Sequence, residues 1–348
     1  MLAAIDRIIG NKFGLGKEFE KGFMLLGTMA LSMIGMIIIS PLIADLLEPL
    51  FSAVYTYLHI DPSIIPATLF ANDMGGAPLS KEVAMDADIG MFNALVTSSM
   101  MGATVSFTIP YALGIVKPEL HRELLLGLLC GIVTIPLGCF VSGLMCGIPI
   151  GALILNLLPL IIFSGIIAAG LMLAPNACVK IFGIFGTFIK ILITIGLALG
   201  ILRFLTGIEL IKGLDTIENG AAVCLNASIV MTGAFPLMYI ISKLLTKPLK
   251  KFGDKIGISD TSAMGLVSSL ATSATTFEMM NRMDKKGAML NSAFAVSAAF
   301  TFAGHLAFTL AFDASYIPPM IVGKIVAGIL ALIVAVFIYD RIEKAANK

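Results

Sequence analysis

The chain alternates long apolar runs with short polar clusters. Eight runs, roughly 22–42, 90–115, 121–147, 150–174, 180–205, 221–243, 288–312 and 319–339, are predicted to cross a bilayer. Each holds about 20 residues or more, the length of α-helix that traverses a hydrocarbon core of about 30 Å. Glycine and proline punctuate many of them, as membrane helices tolerate. Two further regions, 62–86 and 263–283, are moderately apolar but broken at their centres by polar and small residues. The first break reads Phe70-Ala71-Asn72-Asp73-Met74-Gly75-Gly76-Ala77-Pro78, and the second runs from Ser268 to Thr276. Each half has about nine residues, roughly 13 Å of helix and less than half a bilayer. Both are therefore predicted to be re-entrant hairpins. Asp45 to Leu58 and Lys243 to Gly257 precede them, and their charges and prolines place them at the interface.

The same order of elements occurs twice. Sliding the chain by 198 positions aligns Met85 with Met283, Asp86 with Asp284, Met91 with Met289, Asn93 with Asn291 and Ser99 with Ser297. Internal duplication of this kind is common in transporters. Charge then sets the orientation. If the eight runs cross and the hairpins do not, 18 of the 23 basic residues fall on one side. Cytoplasmic loops carry the Lys/Arg excess, so that side, with the C-terminus, is predicted to be cytoplasmic. The first hairpin then enters from outside and the second from the cytoplasm. The expected fold class is an all-α polytopic membrane protein with an inverted repeat. Residues 1–147 form the first half, 148–176 a linking transmembrane helix, and 177–348 the second half with a short cytoplasmic tail. The counterpart of the 180–205 helix would precede Arg7, where only six residues stand. The first helix is thus expected to be a truncated stub beside about eight full spans.

Composition agrees and excludes alternatives. Hydrophobic residues make up 58% of the chain and charged residues 13%, about half the usual 25%. A formal net charge of +1 gives no basic surface for nucleic acid. The five cysteines sit in apolar runs without CxxC spacing, which reads as reduced core residues rather than disulfides or metal ligands. Three scattered histidines, His59, His121 and His305, supply neither a metal cluster nor a nucleophile–base pair. No cofactor is expected, and an enzyme is disfavoured.

Several runs carry a resemblance. Glu20-Lys21-Gly22-Phe23-Met24, Ala71-Asn72-Asp73-Met74-Gly75-Gly76, Gly131 through Cys139, Phe294 through Phe300 and Met320-Ile321-Val322-Gly323-Lys324 are similar to the ethanolamine-utilisation membrane transporter family (EutH). The likeness runs in order along essentially the whole chain. It implies uptake of ethanolamine into bacteria that degrade it, and it implies a complete first helix. Two positions depart from the family's pattern. Gly304 stands where an acidic residue is expected before His305, and Ala271-Thr272-Ser273 stand where asparagines are expected.

Ethanolamine near neutral pH is an ammonium with a hydroxyl, so its site needs a carboxylate or carbonyls and a polar partner. Ionisable groups inside a membrane are costly and default to functional candidates. Asp73, beside Asn72 at the first break, is the leading one; otherwise it caps the second half-helix. Glu82 neighbours Lys81 and could equally snorkel to the interface. Ser273, Thr275 and Thr276 at the second break could bind the hydroxyl or bond back to helical carbonyls. Glu278 follows them near the cytoplasmic face. His305 could relay protons or serve packing, and Asn93 and Asn291 hold matched repeat positions. Three functions are compatible with these residues: an alternating-access carrier, a passive facilitator or channel for small amines, and a membrane scaffold. The two polar-lined hairpins favour the carrier. The expected partners are ethanolamine and the lipid bilayer, and a homo-oligomer is compatible with the sequence.

Overall fold

The computed structural model describes residues 1–346, which are helical with no strand among them. Asn347 and Lys348, at the end of the expected second half, lie outside the described residues. In chain order the α-helices are α1 (Leu2–Ile8), α2 (Leu15–Leu58), α3 (Ile64–Leu69), α4 (Gly76–Val83), α5 (Ala87–Phe92), α6 (Ile109–Ile115), α7 (His121–Ile132) and α8 (Ile135–Met145). There follow α9 (Ile150–Leu173), α10 (Pro175–Thr206), α11 (Ile217–Ile256), α12 (Asp260–Ala271), α13 (Ser273–Met280), α14 (Lys285–Ala298), α15 (Gly304–Phe312) and α16 (Ile317–Ala346). Asn93–Gly102 and Thr104–Thr108 wind as π-helix and join α5 to α6 in one continuous rod.

Polarity is turned inside out relative to a water-soluble domain. Asn93, Thr97, Ser98, Ser99, Asn291 and Lys324 are buried, while Ile154, Ile161 and Ile162 on α9 and Ile184 and Phe188 on α10 are exposed. Six segments among the described residues are long and apolar enough to cross a membrane: Leu15–Leu58, Pro118–Met145, Ile150–Leu173, Lys180–Thr206, Ile217–Leu244 and Ala314–Lys344. Apolar surface over a polar interior, carried by helices of this length, is the arrangement a bilayer solvent demands. The chain is a multi-pass membrane protein.

Three expectations need correction. Asp45 to Leu58 is not a separate interfacial segment but the continuation of α2, which runs unbroken for 44 residues through Pro41 and Pro49. Lys243 to Ile256 likewise continues α11, through Pro236 and Pro248. Proline removes one helical hydrogen bond without necessarily ending a membrane helix. Helices α2 and α11 pack antiparallel, Gly22 against Met231 and Thr232 and Ile34 against Gly220, a contact that covers Pro236 but not Pro41, Pro49 or Pro248. At about 1.5 Å per residue α2 extends roughly 66 Å, twice the hydrocarbon thickness, so much of it lies beyond the core or runs steeply tilted. The third correction concerns the 288–312 run. It is two helices, α14 and α15, separated by an unwound Ala299–Ala303 in which Phe300 adopts φ +61°. Hydropathy is blind to such a break because its residues are apolar.

The two broken regions flanking Asn72 and Thr272 are closed at their bases by carboxylates. Asp61, at the start of the first, accepts from the backbone N–H groups of Met85 (3.0 Å) and Asp86 (2.8 Å) at its end. Asp284, at the end of the second, accepts from Ser259 N (2.8 Å) and Ser262 Oγ (2.6 Å) at its start. Asp86 and Asp284, paired by the 198-residue offset, both cap the helix that follows them. Helix α14 is buried on all sides, and α7 approaches it closely: a Cβ on Gly127 would stand 2.3 Å from Met289 O, and one on Gly131 2.5 Å from Val296 Cβ. Small residues at such crossings let backbones meet.

Burial works to raise the Asp284 pKa, but hydrogen bonds from Ser262, Ser259 and Gly287 outweigh it and hold the carboxyl below the usual range. The clamp is therefore at full strength above about pH 4 and fades as pH falls through that lowered value. Asp284→Ala leaves three donors without their acceptor and is expected to cost about 2–3 kcal/mol. The thermal midpoint of the purified protein in detergent should fall, and Asp284→Asn, which keeps one acceptor oxygen, should fall less.

Candidate substrate site

The first break places Asp73 in a single 3₁₀ turn, Asn72–Met74, between α3 and α4. Gly75 follows at φ +104°, in van der Waals contact range of Met36, a conformation and a space that favour glycine. Ala71 N–H is satisfied by Ser106 Oγ (3.1 Å) on the π-helical rod. The 3₁₀ turn meets α15 across the interior. There the unwound Ala299–Ala303 hydrogen-bonds to the end of α12: Phe300 N donates to Ser269 O and Phe302 N to Leu270 O, each at 3.0 Å. The two breaks thus share one wall, the unwound stretch between α14 and α15.

Asp73 stands partly buried at this wall, and a Cβ on Gly304 would lie 4.0 Å from its Oδ2. The acidic side chain expected before His305 would therefore have stood beside Asp73; with Gly304 there, Asp73 faces that position alone. Among the described residues its carboxylate receives no hydrogen bond from another residue. Asn72 is fully buried with both amide atoms unpartnered, and Ser273 Oγ on α13 is buried and unpartnered too. Buried polar atoms without partners are rare, and a group that pairs with a bound molecule is one reason for them.

Sequence reasoning missed one residue of this site. Lys324 on α16 is only 1% exposed, and its Nζ donates to Ser99 O (2.6 Å) and to His305 Nδ1 (3.0 Å). No direct ion pair joins Lys324 to Asp73 among the described residues, but both reach the Gly304–His305 corner: Lys324 Nζ lies 3.0 Å from His305 Nδ1, and a Cβ on Gly304 would lie 4.0 Å from Asp73 Oδ2. The sequence offers only a charge near the start of the 319–339 run, where a lysine reads as snorkelling to the interface until its burial is known. His305 is buried as expected, at the junction of Lys324 with a file of rings. Phe300 lies 5.1 Å from its ring, Phe107 5.6 Å from Phe300, and Tyr111 5.2 Å from Phe107 (centroid distances). Tyr111 Oη donates to the exposed Glu278 (3.1 Å), so the file ends at the surface.

The remaining candidates lie elsewhere. Glu82 is exposed, and Thr275 is exposed in a groove of about 420 Å³ between α2, α11 and α12. Thr276 bonds Gly265 O (3.0 Å) and Ser269 Oγ (2.9 Å), tying α13 to α12. Asn93 is consumed by structure: its Nδ2 donates to Ser63 Oγ (2.8 Å) and Asn156 Oδ1 (3.0 Å), while its Oδ1 accepts from Thr97 and Asn156. Asn291 Nδ2 donates to Ser262 O (2.8 Å) and Gly287 O (2.9 Å). Each asparagine thus reaches back to the first leg of its own broken region. Through the amide nitrogen the matched positions play alike, but Asn93 is fully paired while Asn291 Oδ1 is buried without a partner, and neither is hydrogen-bonded to Asp73.

Comparison with known proteins converges on one family. Residues 1–338 match the family described as "Ethanolamine utilisation protein, EutH". A protein of Listeria monocytogenes serotype 1/2a (strain 10403S) named "Probable ethanolamine permease EutH" is 44% identical over 344 residues, covering 99% of this chain and 92% of that protein. A protein of the same name from Escherichia coli (strain K12) is 38% identical over 386 residues, covering 100% and 95%. "Uncharacterized protein YxeR" of Bacillus subtilis (strain 168) is 38% identical over 328 residues, covering 94% and 89%. No solved structure matches the chain.

The contrast between the two asparagines is measurable. Asn93→Ala removes a satisfied buried amide and strands its partners, at an expected cost of about 2–3 kcal/mol. Asn72→Ala removes unpartnered polar atoms and is expected to change stability by less than about 1 kcal/mol, or to raise it. Thermal midpoints of the two variants without substrate check this.

Proposed function

The chain belongs to the EutH family of ethanolamine utilisation proteins, and from that premise we propose that it carries ethanolamine across the cytoplasmic membrane by alternating access. The observation that carries the site assignment is Asp73. It is a carboxylate in a helix break, next to unpartnered Asn72, with no hydrogen bond from another residue and a wall of unwound backbone opposite. A primary ammonium supplies three donors, and a carboxylate at a broken helix accepts them with charge assistance. The substrate hydroxyl is assigned to Asn72, and Ser273 extends the polar wall.

An inverted repeat with two re-entrant hairpins accounts for the pairing of Asp86 with Asp284 and of Asn93 with Asn291. The basic loops assigned to the cytoplasm gather at one end: Lys117 N bonds Asn281 Oδ1 (2.9 Å), and Lys286 pairs with Asp340 (2.9 Å). At the opposite end Tyr316 Oη meets Asp88 O (3.4 Å). Both groupings support the sidedness read from charge, with the C-terminus cytoplasmic. Tyr111, Phe107 and Phe300 then lead from His305 toward the cytoplasmic face, and ring faces stabilise a passing ammonium.

Asp73→Asn is expected to reduce uptake of labelled ethanolamine at acidic external pH at least about tenfold, the factor that 1.4 kcal/mol represents, with the protein still inserted. Acid keeps the amine charged, so leakage of neutral base through lipid is suppressed. Normal uptake by this variant sinks the assignment. Accelerated counterflow in proteoliposomes is expected for a carrier; flux without counterflow would mean a facilitator.

A further inference from the structure

Resting on the ethanolamine reading, we infer that Lys324 is an internal counter-cation that surrenders one proton for each ethanolammonium bound at Asp73, so that transport is a one-for-one exchange without net charge. Lys324 Nζ has two acceptors, Ser99 O at 2.6 Å and His305 Nδ1 at 3.0 Å, and both are uncharged when they accept. An ammonium has three N–H donors and a neutral amine has two. The two acceptors satisfy the neutral amine completely, so the third proton can leave without breaking either bond.

Charge supplies the reason for it to leave. The titratable groups facing Lys324 are Asp73 from the 3₁₀ turn, His305 from α15 and Cys139 from α8. Of the other elements packed on α16, the π-helical rod carries no titratable side chain, α7 and α14 carry their charges in their first turns (His121, Arg122 and Glu123; Lys285 and Lys286), and Tyr316 stands in the turn before α16. An ammonium has no lone pair, so opposite charged Lys324 the His305 Nδ1 accepts and the ring is neutral, and the empty site balances one carboxylate against one ammonium. A second ammonium at Asp73 would leave one uncompensated positive charge at the centre of the protein, an arrangement membranes penalise. Loss of one Lys324 proton restores the balance.

The cycle balances in atoms and charge. Outside, ethanolammonium binds Asp73 and the Lys324 ammonium gives its proton to external water, leaving the amine lone pair on Nζ. Inside, ethanolammonium departs and Nζ takes a proton from cytoplasmic water. Loaded and empty forms both cross with the site neutral. Lys324 holds and releases the proton, and His305 orients it.

The test uses the full chain in proteoliposomes at acidic pH with a potential clamped by potassium and valinomycin. Wild-type accumulation of labelled ethanolamine is expected to be the same at 0 and −100 mV, and each substrate entering should alkalinise the lumen by one proton equivalent. Lys324→Gln keeps a two-hydrogen donor and cannot change charge. Its transport becomes cation uniport, and its accumulation should rise up to about fortyfold at −100 mV, the ratio that one charge at about 2.3 kcal/mol corresponds to. Lys324→Arg cannot release its proton and should bind ethanolamine at least tenfold more weakly in detergent while remaining monodisperse. Voltage-driven wild-type accumulation overturns the exchange, whatever the variants do; so does undiminished binding by Lys324→Arg. Wild-type liposomes that take up no ethanolamine at all would instead contradict the transport reading on which the exchange rests.

Discussion

A backbone that leaves the helix inside an apolar interior bares N–H and C=O groups, each of which costs about 2–7 kcal/mol if left unpaired there. The chain leaves the helix in this way at Phe70 to Gly75, at Thr272 and at Ala299 to Ala303, and it arranges the breaks to serve one another. Phe300 and Phe302 donate to the carbonyls that α12 exposes at its end, and Ser106 reaches across from the π-helical rod to Ala71. The aspartate clamps at Asp61 and Asp284 hold the bases of the two broken regions in register so that these bonds can form. Among the described residues Asn72 and Ser273 stand buried and unpartnered at the two breaks, and Asp73 stands beside Asn72 with no hydrogen bond from another residue.

Much of this was legible along the chain. Apolar run length marks the segments, and the polar interruptions at Asn72-Asp73 and Thr272-Ser273 mark two breaks at the right residues. The 198-residue offset picks out Asp86 with Asp284 and Asn93 with Asn291, pairs that prove to hold the same structural places. Their roles were the reverse of the obvious reading. An asparagine in a membrane run invites a binding role, but the amide nitrogen of each is spent on its own hairpin leg.

Other features left no mark that hydropathy can register. The break at Ala299–Ala303 is apolar but for Thr301, and what stabilises it is a carbonyl edge just over thirty residues upstream, Ser269 O and Leu270 O, which only the folded chain brings near. The prolines of α2 and α11 look like helix ends and are not: each removes one helical hydrogen bond and the helix runs on. Lys324 is conspicuous only once burial is known: a lysine near a predicted span end could snorkel, whereas one held by Ser99 O and His305 cannot.

The central claim is that the substrate ammonium sits on Asp73 where the first break faces the unwound stretch. Solid-state NMR dipolar recoupling between ¹⁵N-ethanolamine and ¹³C-labelled aspartate in lipid measures this directly. The account expects a single nitrogen-to-Cγ distance of about 3.5 Å, that of a charge-assisted hydrogen bond, absent in Asp73→Asn. Bound ethanolamine with no dephasing of any aspartate carboxyl, or with dephasing that survives Asp73→Asn, would contradict it.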